Sequence, residues 1–102
     1  MKMSRLPIRL PKEKIERFCK KYHIAYLALF GSVLTPNFSE KSDVDILVKF
    51  EKKHTPHLFG LIGMESELSD ILGYQVDLKT PNELSRYFRD DVLAKAKTIY
   101  GK

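Results

Sequence analysis

Two apolar runs constrain the fold most, the first ended by a Gly-Ser pair and the second opened by two aspartates. Residues 24–30 are apolar throughout, which is typical of a β-strand covered on both faces, and Gly31 and Ser32 end the run. Ten residues later, the second run opens with Asp43 and Asp45. Because side chains alternate along a strand, these carboxylates are expected on one face, with Cα atoms about 7 Å apart. The pattern predicts two neighbouring carboxylates at the start of a strand.

Paired carboxylates of this kind are typical of a cation site. Two like charges repel at this distance unless a cation lies between them, and hard oxygen ligands favour Mg²⁺ or Mn²⁺. Gly31 permits a close backbone approach and Ser32 offers a hydroxyl and an N–H, so the pair is a candidate phosphate-binding turn. A third candidate carboxylate, Asp77, lies in a later apolar run and alternates away from its apolar neighbours. A lone Asp-x-Asp is more often a polar strand entry, but this combination favours a metal and phosphate site.

The composition indicates one small domain that folds without disulfides. The chain has 102 residues, of which 43% are hydrophobic, enough for a modest core. Its single cysteine, Cys19, cannot form an intramolecular bridge and is expected to be a small buried hydrophobe in a reducing compartment. No apolar run approaches the roughly 20 residues of a membrane span, and no signal-peptide core precedes Pro7 and Pro11. We therefore expect a cytoplasmic location and no membrane partner.

The positive charge is concentrated at the N-terminal end of the chain. The net charge is +5, but residues 1–23 carry +6 and the remaining residues carry −1. This basic segment could meet an acidic partner or RNA, although the solvated face of a helix is the more ordinary explanation. A nucleic-acid-binding module is therefore one open hypothesis. The sequence shows no extended stripe of basic residues interleaved with aromatics, which is typical of such modules, so direct nucleic-acid binding is not expected.

The order of periodic segments predicts a single α/β (α+β) domain over residues 11–102, because helices alternate with short strands. Residues 1–10 lack a convincing period and are expected to form a flexible N-terminal arm. The remaining predicted elements are a helix over 11–23, strands over 24–30 and 43–50, a helix over 55–72, a strand over 74–79, a helix with Leu84, Tyr87 and Phe88, and a last helix with the apolar stripe Val92, Leu93, Ala96, Ile99 and Tyr100.

Local signals mark the ends of the later helices. Thr55 and Pro56 are expected to cap and start one helix, and Gly73 to end it. Thr80 and Glu83 match a capping box at the start of the next helix. The apolar stripe expected to be buried along the helix of residues 55–72 is Leu58, Leu61, Ile62, Leu68, Ile71 and Leu72.

Two further pairs of residues are candidate metal ligands by their spacing. His54 and His57 have a spacing that permits a shared ion, but no cysteine or third histidine stands near them in the sequence, so loop histidines are the simpler interpretation. Asp90 and Asp91 are better explained as acidic residues at the start of a helix.

The Gly31-Ser32 pair, the ten-residue interval, Asp43-x-Asp45 and the later Asp77 closely resemble the polymerase-β-like nucleotidyltransferase superfamily. The small size resembles its minimal nucleotidyltransferase (MNT) branch, which is often the antitoxin partner of a HEPN-domain toxin. The resemblance covers roughly residues 12–100. It implies a small mixed sheet flanked by helices.

One departure from this family concerns phosphate binding. Many relatives carry one or two arginines shortly after the Gly-Ser pair, whereas this chain has Val33, Leu34, Thr35 and Pro36. Positive charge for a triphosphate would then have to come from elsewhere. The candidates in the sequence are Lys41, Arg86 and Arg89.

The resemblance also implies a role for each site residue. Asp43 and Asp45 would bridge two Mg²⁺ ions, with Mn²⁺ as a possible substitute, in a two-metal arrangement. Asp77 would bind the catalytic ion and help deprotonate the acceptor. Gly31 and Ser32 would hold the β- and γ-phosphates of ATP.

The resemblance names a HEPN RNase toxin as partner, and as reaction the transfer of AMP from ATP to a toxin tyrosine. One compact core cannot enclose a small acceptor easily, which favours a solvent-open site and a protein acceptor. The alternative is a catalytically silent antitoxin that inhibits its partner by steric binding, which the missing arginines keep open. Three intact like charges favour the enzyme, since a steric inhibitor does not need them. The basic arm and the exposed face of the last helix are candidate docking surfaces.

Overall fold

The strands of the computed structural model, which describes residues 7–101, are β1 (Ile24–Phe30), β2 (Val44–Phe50), β3 (Val76–Lys79) and β4 (Lys97–Gly101). They form one sheet in the order β3-β2-β1-β4. Strand β1 is antiparallel to β2 and to β4, while β2 and β3 are parallel. The predicted mixed sheet is therefore confirmed.

Helices cover both faces of this sheet. They are α1 (Lys12–Lys21), α2 (Leu58–Leu72) and α3 (Arg89–Lys95), with short 3₁₀ helices at Gly31–Leu34 and Pro81–Glu83. Helix α2 ends at Gly73, as predicted, because this glycine adopts a left-handed conformation with φ 78°. Within residues 7–101, no helix is long and apolar enough to cross a membrane.

The core has two layers, one on each face of the sheet. Side chains of α1 and α2 pack on the first face, where Cys19 is fully buried as predicted, and burial raises the pKa of its thiol to about 12. Only Ala25 of β1 is exposed, so the prediction that this strand is covered on both faces is confirmed. The smaller second-face cluster is Tyr26, Ala28, Phe30 and Leu47, packed by Leu84, Val92, Leu93 and Ala96.

The described part of the predicted arm packs on the first face. Ile8 is buried in that cluster and Leu10 packs against it. Residues 1–6 of the arm lie outside the described residues.

The predicted last helix is wrong beyond Lys95. Helix α3 stops there, and Ile99 and Tyr100 belong to β4 instead, with Tyr100 paired to Leu27. The apolar spacing fits a helix, but β1 would then present an edge of unpaired backbone groups. Pairing with β4 satisfies those groups, and β-branched and aromatic residues suit the strand.

Two other helix predictions also needed correction. Helix α2 begins at Leu58 rather than at Pro56, and part of its expected buried stripe lies outside the core, with Leu58 69% and Ile62 51% exposed. No α-helix carries Tyr87, since α3 begins at Arg89. The capping box of Thr80 instead starts a single 3₁₀ turn, and the Arg89 guanidinium donates to the Pro81 and Leu84 carbonyls at 2.9 and 3.1 Å, which holds the following turns.

The β1–β4 pairing predicts an effect of substituting Gly101. This glycine has φ 75°, and an added Cβ would overlap the carbonyl oxygen of Ala25. We expect Gly101→Ala to destabilise the protein by about 1–2 kcal/mol, the cost of a left-handed alanine, lowering Tm by roughly 4–8 °C per kcal/mol. Thermal unfolding followed by circular dichroism measures this.

The matched control for that substitution is Gly63→Ala. Gly63 lies inside α2, and a Cβ added there would meet no neighbouring side chain within 4 Å. Alanine at this position should therefore leave the stability of the protein unchanged or raise it by up to about 1 kcal/mol. Equal Tm values for the two variants would contradict the packing of β4 against β1.

Candidate active site

The register of two parallel strands sets the position of the candidate site. Asp45 of β2 is paired directly with Asp77 of β3. Paired residues of neighbouring strands lie about 5 Å apart and present their side chains on the same face. Asp43 precedes β2 by one residue and lies two residues before Asp45, on the same side. The structure therefore places Asp43, Asp45 and Asp77 on one face at the N-terminal end of β2 and β3, with carboxylate oxygens that do not all lie within 4.8 Å of one another.

Side chains of α2 hold β3 in this register. Strand β3 is at the edge of the sheet, and its outward N–H groups are bound by the helix. The Val76 N–H donates to Ser69 Oγ at 2.9 Å, and the Leu78 N–H donates to Glu65 Oε2 at 2.8 Å. These bonds flank Asp77 on both sides, so Ser69 and Glu65 fix its place in the strand.

Burial and repulsion from neighbouring carboxylates affect the pKa of Asp45. Burial raises the pKa of Asp45 above its ordinary value, and the charges of Asp77 and, less strongly, Asp43 raise it further. The ammonium of Lys79 acts in the opposite direction. A bound cation would relieve the same repulsion.

Lys79 is a charged neighbour of the site to which the sequence pattern assigned no role. Its Nζ lies 3.5 Å from Asp77 Oδ2, with both side chains about two-fifths exposed. Side chains alternate along β3, so Lys79 lies on the same face as Asp77. This alternation is the sequence signal that could have identified Lys79 as a neighbour of the site. It compensates part of the negative charge.

The Gly31-Ser32 turn lies against the aspartates. Phe30 at the end of β1 is paired with Asp45, so the following residue, Gly31, sits beside the Asp45 carboxylate. Gly31 has φ 78°, and a Cβ there would overlap Asp45 Oδ2. Only glycine suits this position, because both the conformation and the close approach exclude a side chain. Ser32 is half-buried in the 3₁₀ helix that begins here.

A cavity of about 690 Å³ adjoins Gly31 on the second face of the sheet. Apolar side chains dominate its wall, as in most small-molecule sites. The sequence pattern does not predict this cavity, because it assigns Leu84 and Phe88 to one helix and Val92 to the apolar stripe of the next. Its lining residues are Phe30, Gly31, Leu34, Thr35, Leu84, Ser85, Phe88, Asp91, Val92 and Lys95.

The other charged candidates lie outside the aspartate cluster. Arg89 is bound to two backbone carbonyls, while Lys41 and Arg86 are exposed. Asp90 and Asp91 lie in the first turn of α3, as predicted for helix-start carboxylates. At the position of the missing arginines, Val33 is buried in the core and Leu34 lines the cavity.

The residues present fit a hard divalent cation. Three carboxylates on one face supply the oxygen ligands that Mg²⁺ and Mn²⁺ prefer. Their mutual repulsion, seen in the raised pKa of Asp45, favours occupancy by a cation.

Solved structures with this fold include proteins of toxin–antitoxin complexes. One, a toxin–antitoxin with AMP-PNP, has a TM-score of 0.71 and 23% identity, covering 91% of this chain and 75% of that chain. Another, a tri-AMPylated Shewanella oneidensis HEPN toxin in complex with an MNT antitoxin, has a TM-score of 0.63 and 22% identity, covering 89% and 70%. At these identities the likeness shows the fold.

Sequence relatives include two proteins of Methanocaldococcus jannaschii that are provisionally named protein adenylyltransferases. One is 44% identical over 59 residues, which span 58% of this chain and 58% of that relative's length. The other is 33% identical over 88 residues, which span 86% of this chain and 92% of the relative.

A family model extends the match over nearly the whole chain. The model described as "Polymerase beta, Nucleotidyltransferase" matches residues 13–102, which include the Gly31 turn and all three aspartates. The chain thus belongs to the polymerase β nucleotidyltransferase family.

Proposed function

We propose that this protein is an antitoxin that transfers AMP from ATP to a tyrosine hydroxyl of a HEPN RNase toxin in a Mg²⁺-dependent reaction. The observation that carries the proposal is the β2–β3 register, which sets Asp45 opposite Asp77 beside the Gly31 turn. The relatives named protein adenylyltransferases support the reaction type. The fold shared with an MNT antitoxin bound to an AMPylated HEPN toxin supports the partner.

The three aspartates would divide the metal-binding work. Asp43 and Asp45 would hold both ions, and Asp77 would hold one of them. When bound, two divalent ions stabilise the attacking and leaving oxygens of an in-line displacement. The partly exposed positions of Asp43 and Asp77 leave this face open to an incoming substrate.

In the proposed reaction the acceptor oxygen forms a bond to the α-phosphorus of ATP. The bond from that phosphorus to the oxygen bridging to the β-phosphorus breaks, and pyrophosphate leaves. The proton of the acceptor hydroxyl passes to a carboxylate, for which Asp77 is the candidate.

The turn and the neighbouring cavity would bind the nucleotide. Backbone N–H groups after Gly31 and the Ser32 hydroxyl would contact the β- and γ-phosphates. The apolar cavity that begins at Gly31 suits a base and ribose, with Phe88 and Val92 against the base and Ser85 as a polar contact.

Exposed apolar side chains support a protein acceptor. Tyr87 and Phe88, beside the cavity, are 85% and 65% exposed. Aromatic residues at a surface are typical of contact sites between proteins. A site open to this surface lets a tyrosine of the partner reach the nucleotide, and we expect the reaction in the cytoplasm.

The alternative is an antitoxin that inhibits its partner by steric binding alone. The observation that favours it is the lack of positive charge after Ser32, where Val33 is buried and Leu34 is apolar. A site with weak phosphate binding could have kept the fold and the docking surface without turnover.

Removing one bridging carboxylate should abolish AMP transfer. We expect Asp43→Asn to lose about 1,000-fold or more, because loss of ion binding removes several kcal/mol of transition-state stabilisation. The assay is mass spectrometry of a HEPN protein encoded beside this chain, after incubation with ATP and Mg²⁺. Asp70→Asn, an exposed aspartate of α2, is the matched control and should transfer AMP normally.

Two outcomes of this assay would contradict the proposal. Undiminished transfer by Asp43→Asn would remove the aspartates from the mechanism. An unmodified partner that both the wild type and Asp43→Asn inhibit equally would establish the steric alternative.

Asp45→Asn should stabilise the metal-free protein. Burial and the charge of Asp77 raise the pKa of Asp45 in the folded state, so folding favours the protonated carboxyl. This contribution to the stability of the protein is full below the ordinary pKa of aspartate and is lost as the pH rises through the raised pKa. Asparagine resembles the protonated form. With solvent screening, we expect about 0.5 kcal/mol, or 2–4 °C in Tm, at pH 7 in EDTA.

The gain from Asp45→Asn should disappear at a pH below the ordinary pKa of aspartate. Mg²⁺ should raise the Tm of the wild type and leave that of Asp45→Asn unchanged, which reverses the order of the two. A wild type that is more stable than the variant in EDTA at pH 7 would argue against repulsion at this site.

Asp77→Asn should separate catalysis from nucleotide binding. If Asp77 holds one ion and accepts the proton, the variant loses about 100- to 10,000-fold in turnover but less than about tenfold in affinity for Mg²⁺–ATP. Single-turnover rates and calorimetric titration with ATP measure the two quantities. Affinity lost as fully as in Asp43→Asn would mean that the three carboxylates share one role.

A further inference from the structure

Three potential metal ligands from two distant segments of the chain meet at the opposite end of β1 and β2. His23 directly precedes β1, Glu51 directly follows β2, and His54 closes the next turn. Their candidate ligand atoms all lie within 4.8 Å of one another, and the three residues are exposed. His57, which the sequence paired with His54, is outside this group.

Backbone hydrogen bonds hold the three residues in place. The Glu51 N–H donates to the His23 carbonyl at 2.8 Å, which continues the β1–β2 pairing by one step. The His54 N–H donates to the Glu51 carbonyl at 3.0 Å, which closes the turn. The frame that presents the side chains is therefore formed before any ion binds.

The side chains face each other closely. The imidazole rings of His23 and His54 are stacked with centroids 3.8 Å apart and planes at 17°. His23 Nδ1 lies 3.7 Å from Glu51 Oε1. An exposed ion pair of this length contributes little stability.

The backbone supplies a second, independent observation. His23 has φ 56° and Lys53, within the turn, has φ 69°. Non-glycine residues are uncommon in this region. Here the unusual conformation of His23 turns the chain from α1 into β1 at the ligand group.

We propose that His23, Glu51 and His54 form a surface site for a divalent transition metal of the Zn²⁺ class. Two imidazole nitrogens and one carboxylate oxygen suit Zn²⁺, Ni²⁺ or Co²⁺, whereas Mg²⁺ prefers oxygen ligands alone. Three protein ligands leave a position for water. The nearby cations Lys52 and Lys53 oppose binding, so we expect a dissociation constant of about micromolar size.

This site is separate from the aspartate cluster in both place and chemistry. The two lie at opposite ends of seven-residue strands, about 20 Å apart. The aspartate cluster offers only oxygen ligands, whereas the histidine site offers mainly nitrogen ligands. Binding at the histidines should therefore persist when Mg²⁺ occupies the aspartates.

Calorimetric titration with Zn²⁺ and with Ni²⁺, in saturating Mg²⁺, tests the proposal on the full chain. The variants are His54→Gln and, as a matched control from the same segment, His57→Gln. His23→Asn removes the other imidazole, since asparagine tolerates the left-handed conformation. Circular dichroism confirms that each variant is folded.

We expect one ion per chain, with binding at least ~10-fold weaker in His54→Gln and in His23→Asn and unchanged in His57→Gln. Zn²⁺ should also raise the Tm of the wild type and of His57→Gln only. Absence of binding to the wild type would overturn the proposal. So would equal losses in His54→Gln and His57→Gln, or wild-type affinity in His23→Asn.

Discussion

The parallel pairing of β2 with β3 is the constraint on which the rest of the site depends. Side chains alternate along both strands, so Val44 and Val76 point into the first-face core while Asp45 and Asp77 point to the other face. A slip of one residue would bury carboxylates in an apolar layer and expose the core residues. The burial of these apolar side chains therefore offsets the repulsion between the neighbouring carboxylates.

Helix α2 connects this pairing to the rest of the protein. Leu68 and Leu72 bury the helix against the first face, and from there Ser69 and Glu65 reach the edge of β3. Their oxygens accept N–H groups that would otherwise be exposed at the sheet edge and available to another strand. The same contacts fix the position of Asp77 along β3 relative to Asp45. A helix on one face of the sheet therefore sets the geometry of a site on the other face.

The sequence predicted those features that depend on neighbours along the chain. The strands, the alternation of Asp43, Asp45 and Asp77, and the end of α2 at Gly73 follow from local patterns, and the structure agrees. Features that depend on distant partners were missed. Strand β4 forms because β1 has a free edge, and His54 meets His23 because the β1–β2 pairing brings their segments together. The periodicity of a single segment predicts neither the β1–β4 pairing nor the contact between His23 and His54.

The charges around the candidate site support the proposed dependence on divalent cations. The polyphosphate of ATP is strongly negative, and it would approach three carboxylates that Lys79 neutralises only in part. Val33 and Leu34 add no positive charge at the turn, and Arg89 is committed to backbone carbonyls. Divalent ions would then carry most of the compensation, because the repulsion between phosphate and carboxylate grows in a partly buried site. The proposed binding of ATP would therefore require divalent cations at the aspartates.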